Sequence, residues 1–232
     1  MAKHWPGMTG VVADLEGTIL PIAFVMETLY PFARARIPDY LARHREDSVV
    51  QDLMAEVQRL AGVRLDEAGV ARQLLAWQDA DAKRPPLKQL QGMIWAEGYQ
   101  GGALQTPMYP DAIQQLERWS RHGLTLAIYS SGSAQAQRLI LGHTQAGDLT
   151  PGFQAFFDTG VGHKRETASY QQIAAHLDHP PSRLLFLSDV RQELDAARRA
   201  GWATAWVVRQ SVPGPAAAHR QVTDLTAIDV DP

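Results

Sequence analysis

The segment Gly10-Val11-Val12-Ala13-Asp14-Leu15-Glu16-Gly17-Thr18 runs from apolar residues into two acids, a glycine and a hydroxyl. An apolar run of this length, without polar alternation, predicts a strand covered on both faces of a parallel sheet. In an extended segment, positions 14 and 16 point the same way. Two acids on one side of a buried strand end repel each other. A cation offsets that cost, and Mg²⁺ takes one or two carboxylates together with phosphate oxygens. Gly17 permits the tight turn that follows. The plain alternative is a polar strand exit with capping acids, and both readings stand at this point.

Similar runs lie further along, at Leu124–Ser130 (LTLAIYS), Leu184–Asp189 (LLFLSD) and Trp202–Arg209 (WATAWVVR). Phe156–Val161 (FFDTGV) is a fifth candidate strand. Helical patterns fall between them, at Pro110–His122, Ser133–Leu141, Glu166–Leu177 and Gln192–Ala200. The first opens on Pro-Asp and stops at Gly123, and the last stops at Gly201, as helix ends do. Strand–helix alternation after residue 109 predicts an α/β fold with a doubly wound parallel sheet. Residues 24–106 read differently. No strand is apparent there, and apolar residues recur at helical spacing in Asp47–Leu60, Asp66–Trp77 and Pro86–Tyr99. The expected organisation is an α/β core from residues 1–22 and 107–232. An all-helical cap, residues 23–106, is inserted after the first strand as a lid. Pro213–Ala218 (PGPAAA) is expected as a surface loop.

Composition narrows the class. The chain has 232 residues, 45% hydrophobic and 20% charged, which is ordinary for a globular protein and excludes a disordered one. Lys and Arg number 22 against 25 Asp and Glu, with no basic run, so no nucleic-acid partner is expected. Cysteine is absent, which excludes disulfides and Cys-ligated metal and fits a reducing compartment. The first ten residues, MAKHWPGMTG, lack the apolar stretch of a signal peptide. No run approaches the roughly 18 apolar residues of a spanning helix. A cytoplasmic monomer without a membrane partner is the expectation.

Three further strand ends carry chemistry. Ser130-Ser131-Gly132-Ser133 precedes a helix, where hydroxyls and helix N–H groups make an anion site or, more plainly, a capping cluster. Lys164, in VGHKRE, can neutralise a phosphate or simply sit in solvent. Ser188-Asp189, with Glu193 and Asp195 beyond, can complete a metal site or cap the next helix. Each signal alone is modest. Together they place acids, hydroxyls and a lysine at the carboxyl ends of parallel strands, where open α/β sheets bind ligands. That is the inventory for Mg²⁺-assisted phosphoryl transfer. Other signals are weaker. Gly160-Val161-Gly162 fails as a dinucleotide fingerprint because residue 165 is Arg. His176 and His179 read as an exposed helix end. Trp77 and Trp119 read as core, with Trp95 left open.

Asp14-Leu15-Glu16-Gly17-Thr18, Ser130, Lys164 and Ser188-Asp189 resemble the four motifs of the haloacid dehalogenase superfamily. Most of its phosphatases carry Asp at the position of Glu16. The Glu variant resembles one branch, the enolase-phosphatases of methionine salvage, or acireductone synthases. Pro21–Val25, LKQLQGMIWAEGY at Leu87–Tyr99, IYSSGS, GHTQAGDLTP, VGHKRE and LSDVRQELDAA resemble the same branch. Leu15 and Ile19-Leu20 depart from it without removing a reacting group.

The resemblance implies an enzyme using Mg²⁺ on 2,3-diketo-5-methylthiopentyl 1-phosphate, which it enolises and then dephosphorylates to acireductone. Asp14 would be the nucleophile and Glu16 the acid and base. Asp14, the main-chain carbonyl of Glu16, and Asp189 would hold the metal. Ser130, Ser131 and Lys164 would bind the phosphoryl oxygens, and Glu193 would support the metal site. In the cap, Lys88, Gln91 and Trp95 share a helical stripe. Gln91 and Trp95 are candidates for the rest of the substrate, against the alternative that they only hold helices together. A phosphatase for another small ester is the neighbouring reading. A non-catalytic binder of phosphorylated metabolites needs neither a nucleophile nor an acid.

Overall fold

The computed structural model describes residues 3–82, 84–209 and 218–231. The chain divides into two compact units, Met1–Ile22 with Thr106–Pro232, and Ala23–Gln105.

The first unit is built on a six-stranded sheet. Its strands are β2 (Gly10–Ala13), β3 (Thr125–Tyr129), β4 (Ala155–Phe157), β5 (Leu184–Ser188), β6 (Ala203–Val207) and β7 (Arg220–Val222). They lie in the order β4-β3-β2-β5-β6-β7, all parallel. The expected α/β class with a parallel sheet is therefore found. Helices α6 (Pro110–Arg121), α7 (Ala134–Gly142), α8 (Thr167–Leu177) and α9 (Arg191–Arg199) connect the strands. Register sorts the side chains. Val12 lies beside Ala127 and Phe186, and this face packs with Tyr170, Ile173 and Leu194 from α8 and α9. Val11 and Ala13 share the other face with Leu126, Ile128, Leu185 and Leu187. Every residue of β2 is buried, which is why its sequence shows no polar alternation. The helix α6 turns Ala112, Gln115, Leu116 and Trp119 inward, the i, i+3, i+4, i+7 stripe of a half-buried helix.

Three strands were not anticipated, and each comes from a chain end. The strand β1 (Lys3–Pro6) pairs in parallel with β8 (Ile228–Asp231) as a separate ribbon. Gln115 of α6 donates its amide to the Ile228 carbonyl at 2.9 Å. The tail after Arg209 thus extends the main sheet through β7 and supplies β8. The expected strand Phe156–Val161 is corrected: β4 ends at Phe157, and Thr159–Val161 is a 3-10 turn. Asp158 stops it by accepting the N–H groups of Ala134 and Gly160. The expected loop at Pro213–Ala218 lies, except for Ala218, outside the described residues. His179 is half-buried, contrary to expectation, and its ring bridges Thr9 Oγ1 and Thr125 Oγ1 at 2.9 and 3.0 Å.

The second unit is helical throughout: α1 (Ile22–Phe24) enters it, followed by α2 (Tyr30–Arg43), α3 (Ser48–Ala61), α4 (Glu67–Asp79) and α5 (Pro85–Gln100). Asp47 and Asp66 cap α3 and α4 by accepting the N–H groups of Val49 and Gly69. Between α1 and α2, Val25–Leu29 forms a π-helical turn in which the Tyr30 N–H reaches back to Val25. Pro31 explains it. Proline offers no N–H to the carbonyl four residues back, and its ring presses on that carbonyl and widens the turn.

Candidate active site

Asp14 stands where β2 leaves the sheet, its N–H bonded to the Leu187 carbonyl at 2.8 Å. The Lys164 ammonium lies 2.5 Å from Asp14 Oδ1 and 2.7 Å from Glu193 Oε2, and all three side chains are buried. The Ser188 hydroxyl sits 3.2 Å from Asp14 Oδ2 and 3.0 Å from Glu193 Oε2, so its one proton serves the two carboxylates in turn. The loop carrying Lys164 is fixed by hydroxyls. Tyr170 donates to the Lys164 carbonyl, Ser169 to that of His163 and Tyr129 to that of Gly162.

The turn after Asp14 requires glycine. Gly17 has φ +76°, and a Cβ there would run into the Asp189 carboxylate. Thr18 accepts the Asp189 N–H at 3.1 Å, which brings the two strand ends together. Gly17→Ala is expected to lose about 1–2 kcal/mol of stability from the left-handed backbone alone. It should also lower the rate by displacing Asp189. Chemical denaturation and kcat check this, and wild-type values for both would show that the turn has room.

Four carboxylates, Asp14, Glu16, Asp189 and Glu193, therefore share one lysine. Burial, then the charge of Asp14, pushes Asp189 up to about 6 and Glu193 up to about 7. The same two causes raise Glu16. Burial would drive the Lys164 ammonium down, but the carboxylates of Asp14 and Glu193 outweigh it and hold it charged. This donor set is short of positive charge, which is the condition a hard divalent cation relieves. Among the described residues, no three Asp, Glu or His side chains group as a metal site. The set anticipated from sequence is of another kind, two carboxylates and the Glu16 main-chain carbonyl.

Two groups expected at the phosphate already hold partners within the protein. The Ser130 hydroxyl donates to Glu16 Oε2 at 2.8 Å and accepts from the Gly132 N–H. At the start of α7, the N–H groups of Ala134 and Ala136 are bonded to Asp158 and Ser133. Asp158 and Ser133 thus cap the helix as acceptors. Ser131 is exposed in the same loop. Gln91 and Trp95 lie on α5 of the helical unit and are buried. Trp95 donates its indole N–H to the Leu29 carbonyl at 2.8 Å and stacks on Tyr30. The Gln91 amide lies 3.4 Å from Gln78 Oε1.

A family model for haloacid dehalogenase-like hydrolases matches residues 8–201, and the chain belongs to that family. The enolase-phosphatase E1 of Methylococcus capsulatus is 46% identical over 94% of this chain and 96% of its own. That of Thioalkalivibrio sulfidiphilus is 44% identical over 95% and 98%. Within the hydrolases, the chain is thus a member of the enolase-phosphatase E1 family. Among solved structures, the UTR4 protein of Saccharomyces cerevisiae superposes with a TM-score of 0.82 at 33% identity, covering 94% of this chain and 98% of its own.

Proposed function

We propose that the chain converts 2,3-diketo-5-methylthiopentyl 1-phosphate to acireductone and inorganic phosphate, by enolisation followed by phosphate removal. The observation that carries this reading is the pairing of the Asp14 carboxylate with a Glu16 whose proton affinity is raised by burial and by Asp14 itself. Asp14 attacks phosphorus. The bond to the substrate oxygen breaks as Glu16 gives that oxygen its proton. Water then attacks the aspartyl-phosphate, Glu16 takes the proton of that water, and phosphate leaves with Asp14 restored. Lys164 pairs with Asp14 and, with Ser130 and Ser131, holds the phosphoryl oxygens. The bond between Ser130 and Glu16 supports this, because it puts a phosphate-binding hydroxyl at the proton donor.

Asp14, the Glu16 carbonyl and Asp189 would hold Mg²⁺, which when bound supplies positive charge to the phosphoryl oxygens and the developing enolate. Glu193 steadies Lys164 and Ser188 beside them. The absence of cysteine fits a cytoplasmic setting. Among the described residues, no helix is long and apolar enough to cross a membrane. Incubation with the diketone phosphate and Mg²⁺, following enol absorbance and phosphate together, tests the function. Phosphate release from simple esters without turnover of the diketone would favour a phosphatase of other small esters.

Phosphate chemistry alone does not distinguish one ester from another. We assign recognition of the carbonyls and methylthio group to Gln91 and Trp95. Gln91→Ala is expected to raise KM for the diketone phosphate about tenfold or more while sparing a small generic ester. Trp95→Ala should do the same and also lower Tm, since its indole holds the Leu29 carbonyl. Equal losses on both esters would make α5 scaffold alone.

A further inference from the structure

Arg209 follows β6, at the carboxyl end of the sheet, and its side chain is 8% exposed. Its Nε and Nη2 both donate to the Thr18 carbonyl, at 3.1 and 2.8 Å. Its Nη1 donates to Asp111 Oδ2 at 2.7 Å, and its guanidinium lies 4.1 Å over the Tyr109 ring. The charge of Arg209 is thus answered by Asp111. What faces the active-site loop is the forked edge of the guanidinium. Thr18 is fully buried, and its carbonyl receives both of those N–H groups. The same residue accepts the Asp189 N–H through Oγ1. On its other side, Asp189 is held by the Trp206 indole N–H, which donates to the Asp189 carbonyl at 3.0 Å.

We infer that Arg209 is a positioning residue of the active site: it fixes the Thr18 peptide and, through Thr18, the aim of the Asp189 carboxylate across Gly17. The inference rests on the reading of Asp189 as a metal holder. Two parallel N–H groups directed at one carbonyl set its orientation, which a single ammonium cannot do. A lysine at this position keeps the charge for Asp111 and loses the fork. The substrate's phosphate binders, Ser130 and Lys164, are reached by neither Arg209 nor Thr18 among the described contacts. At saturating Mg²⁺ the relay therefore bears on the chemical step, through the aim of Asp189, with substrate affinity left to Ser130 and Lys164.

The test uses the whole chain carrying Arg209→Lys or Arg209→Gln. Mg²⁺ affinity is read by titration calorimetry without substrate, alongside kcat, KM for the diketone phosphate, and Tm. Both variants are expected to weaken Mg²⁺ binding by about 10- to 100-fold, with a comparable fall in kcat and an unchanged KM. Wild-type Mg²⁺ affinity and kcat in folded Arg209→Lys protein overturn the inference, because charge alone would then suffice. A purely structural role lowers Tm and leaves the affinity of the folded protein untouched, which also overturns it. Should neither variant fold, Thr18→Val removes the acceptor of the Asp189 N–H while keeping shape and carbonyl. It is expected to show the same loss of Mg²⁺ affinity, and wild-type affinity there overturns the relay. If the wild-type chain takes up no Mg²⁺, the metal reading fails by itself. The fall in kcat with unchanged KM then decides for or against Arg209.

Discussion

Asp14→Asn protein is expected to fold normally and to release phosphate slower by on the order of 10⁴-fold or more. The amide is a poor nucleophile, so the covalent step has no replacement. The fold survives because Lys164 keeps Glu193 as its ion-pair partner at 2.7 Å. Removing the Asp14 charge also relieves Asp189 and Glu193, whose raised proton affinities owe part of their shift to it. Tm should therefore stay near the wild-type value or rise. Circular dichroism and a single-turnover phosphate assay check both halves. Substantial turnover by the folded variant would remove the aspartyl-phosphate from the mechanism.

Glu16→Ala is expected to slow phosphate transfer by about 10²- to 10⁴-fold, since one carboxyl serves as acid and then as base. Enol absorbance adds a second answer. Glu16 is one methylene longer than an aspartate, which makes it the candidate for taking a proton beside the substrate carbonyl. Loss of both signals gives Glu16 both duties. A phosphorylated enol that accumulates assigns proton abstraction to another group and leaves Glu16 with phosphate transfer alone.

The strands β2, β3, β5 and β6 were legible because burial on both faces leaves an unbroken apolar run in the sequence. Asp14 and Asp189 were legible because polar groups at the ends of such runs stand out, whereas Lys164 lies beyond a 3-10 turn after β4 and stood out only in the VGHKRE stretch. The elements β1, β7 and β8 are short and partly exposed, and only tertiary pairing makes them strands. The helix α2 was not among the expected helices, and it carries two prolines, which ordinarily interrupt a helix. Pro31 sits in the first turn and Pro38 is carried inside the helix. In the site, Ser130 meets Glu16 across 114 residues, and Arg209 meets Thr18 across 191. No local pattern encodes such distances. Arg209 nevertheless left a trace: it is a charged residue ending an apolar strand, as Asp14 is.

The order of synthesis delays the pairing of β1 with β8. Lys3–Pro6 leaves the ribosome long before its partner Ile228–Asp231. The central strand β2 likewise waits for β3 and then β5. Ala23–Gln105, by contrast, is one unbroken stretch whose helices are complete before β3 has been made. Domains fold as units during translation, from the amino end onward. The nascent chain therefore carries finished helices beside an apolar strand with both edges open, and in that interval a chaperone has a surface to hold.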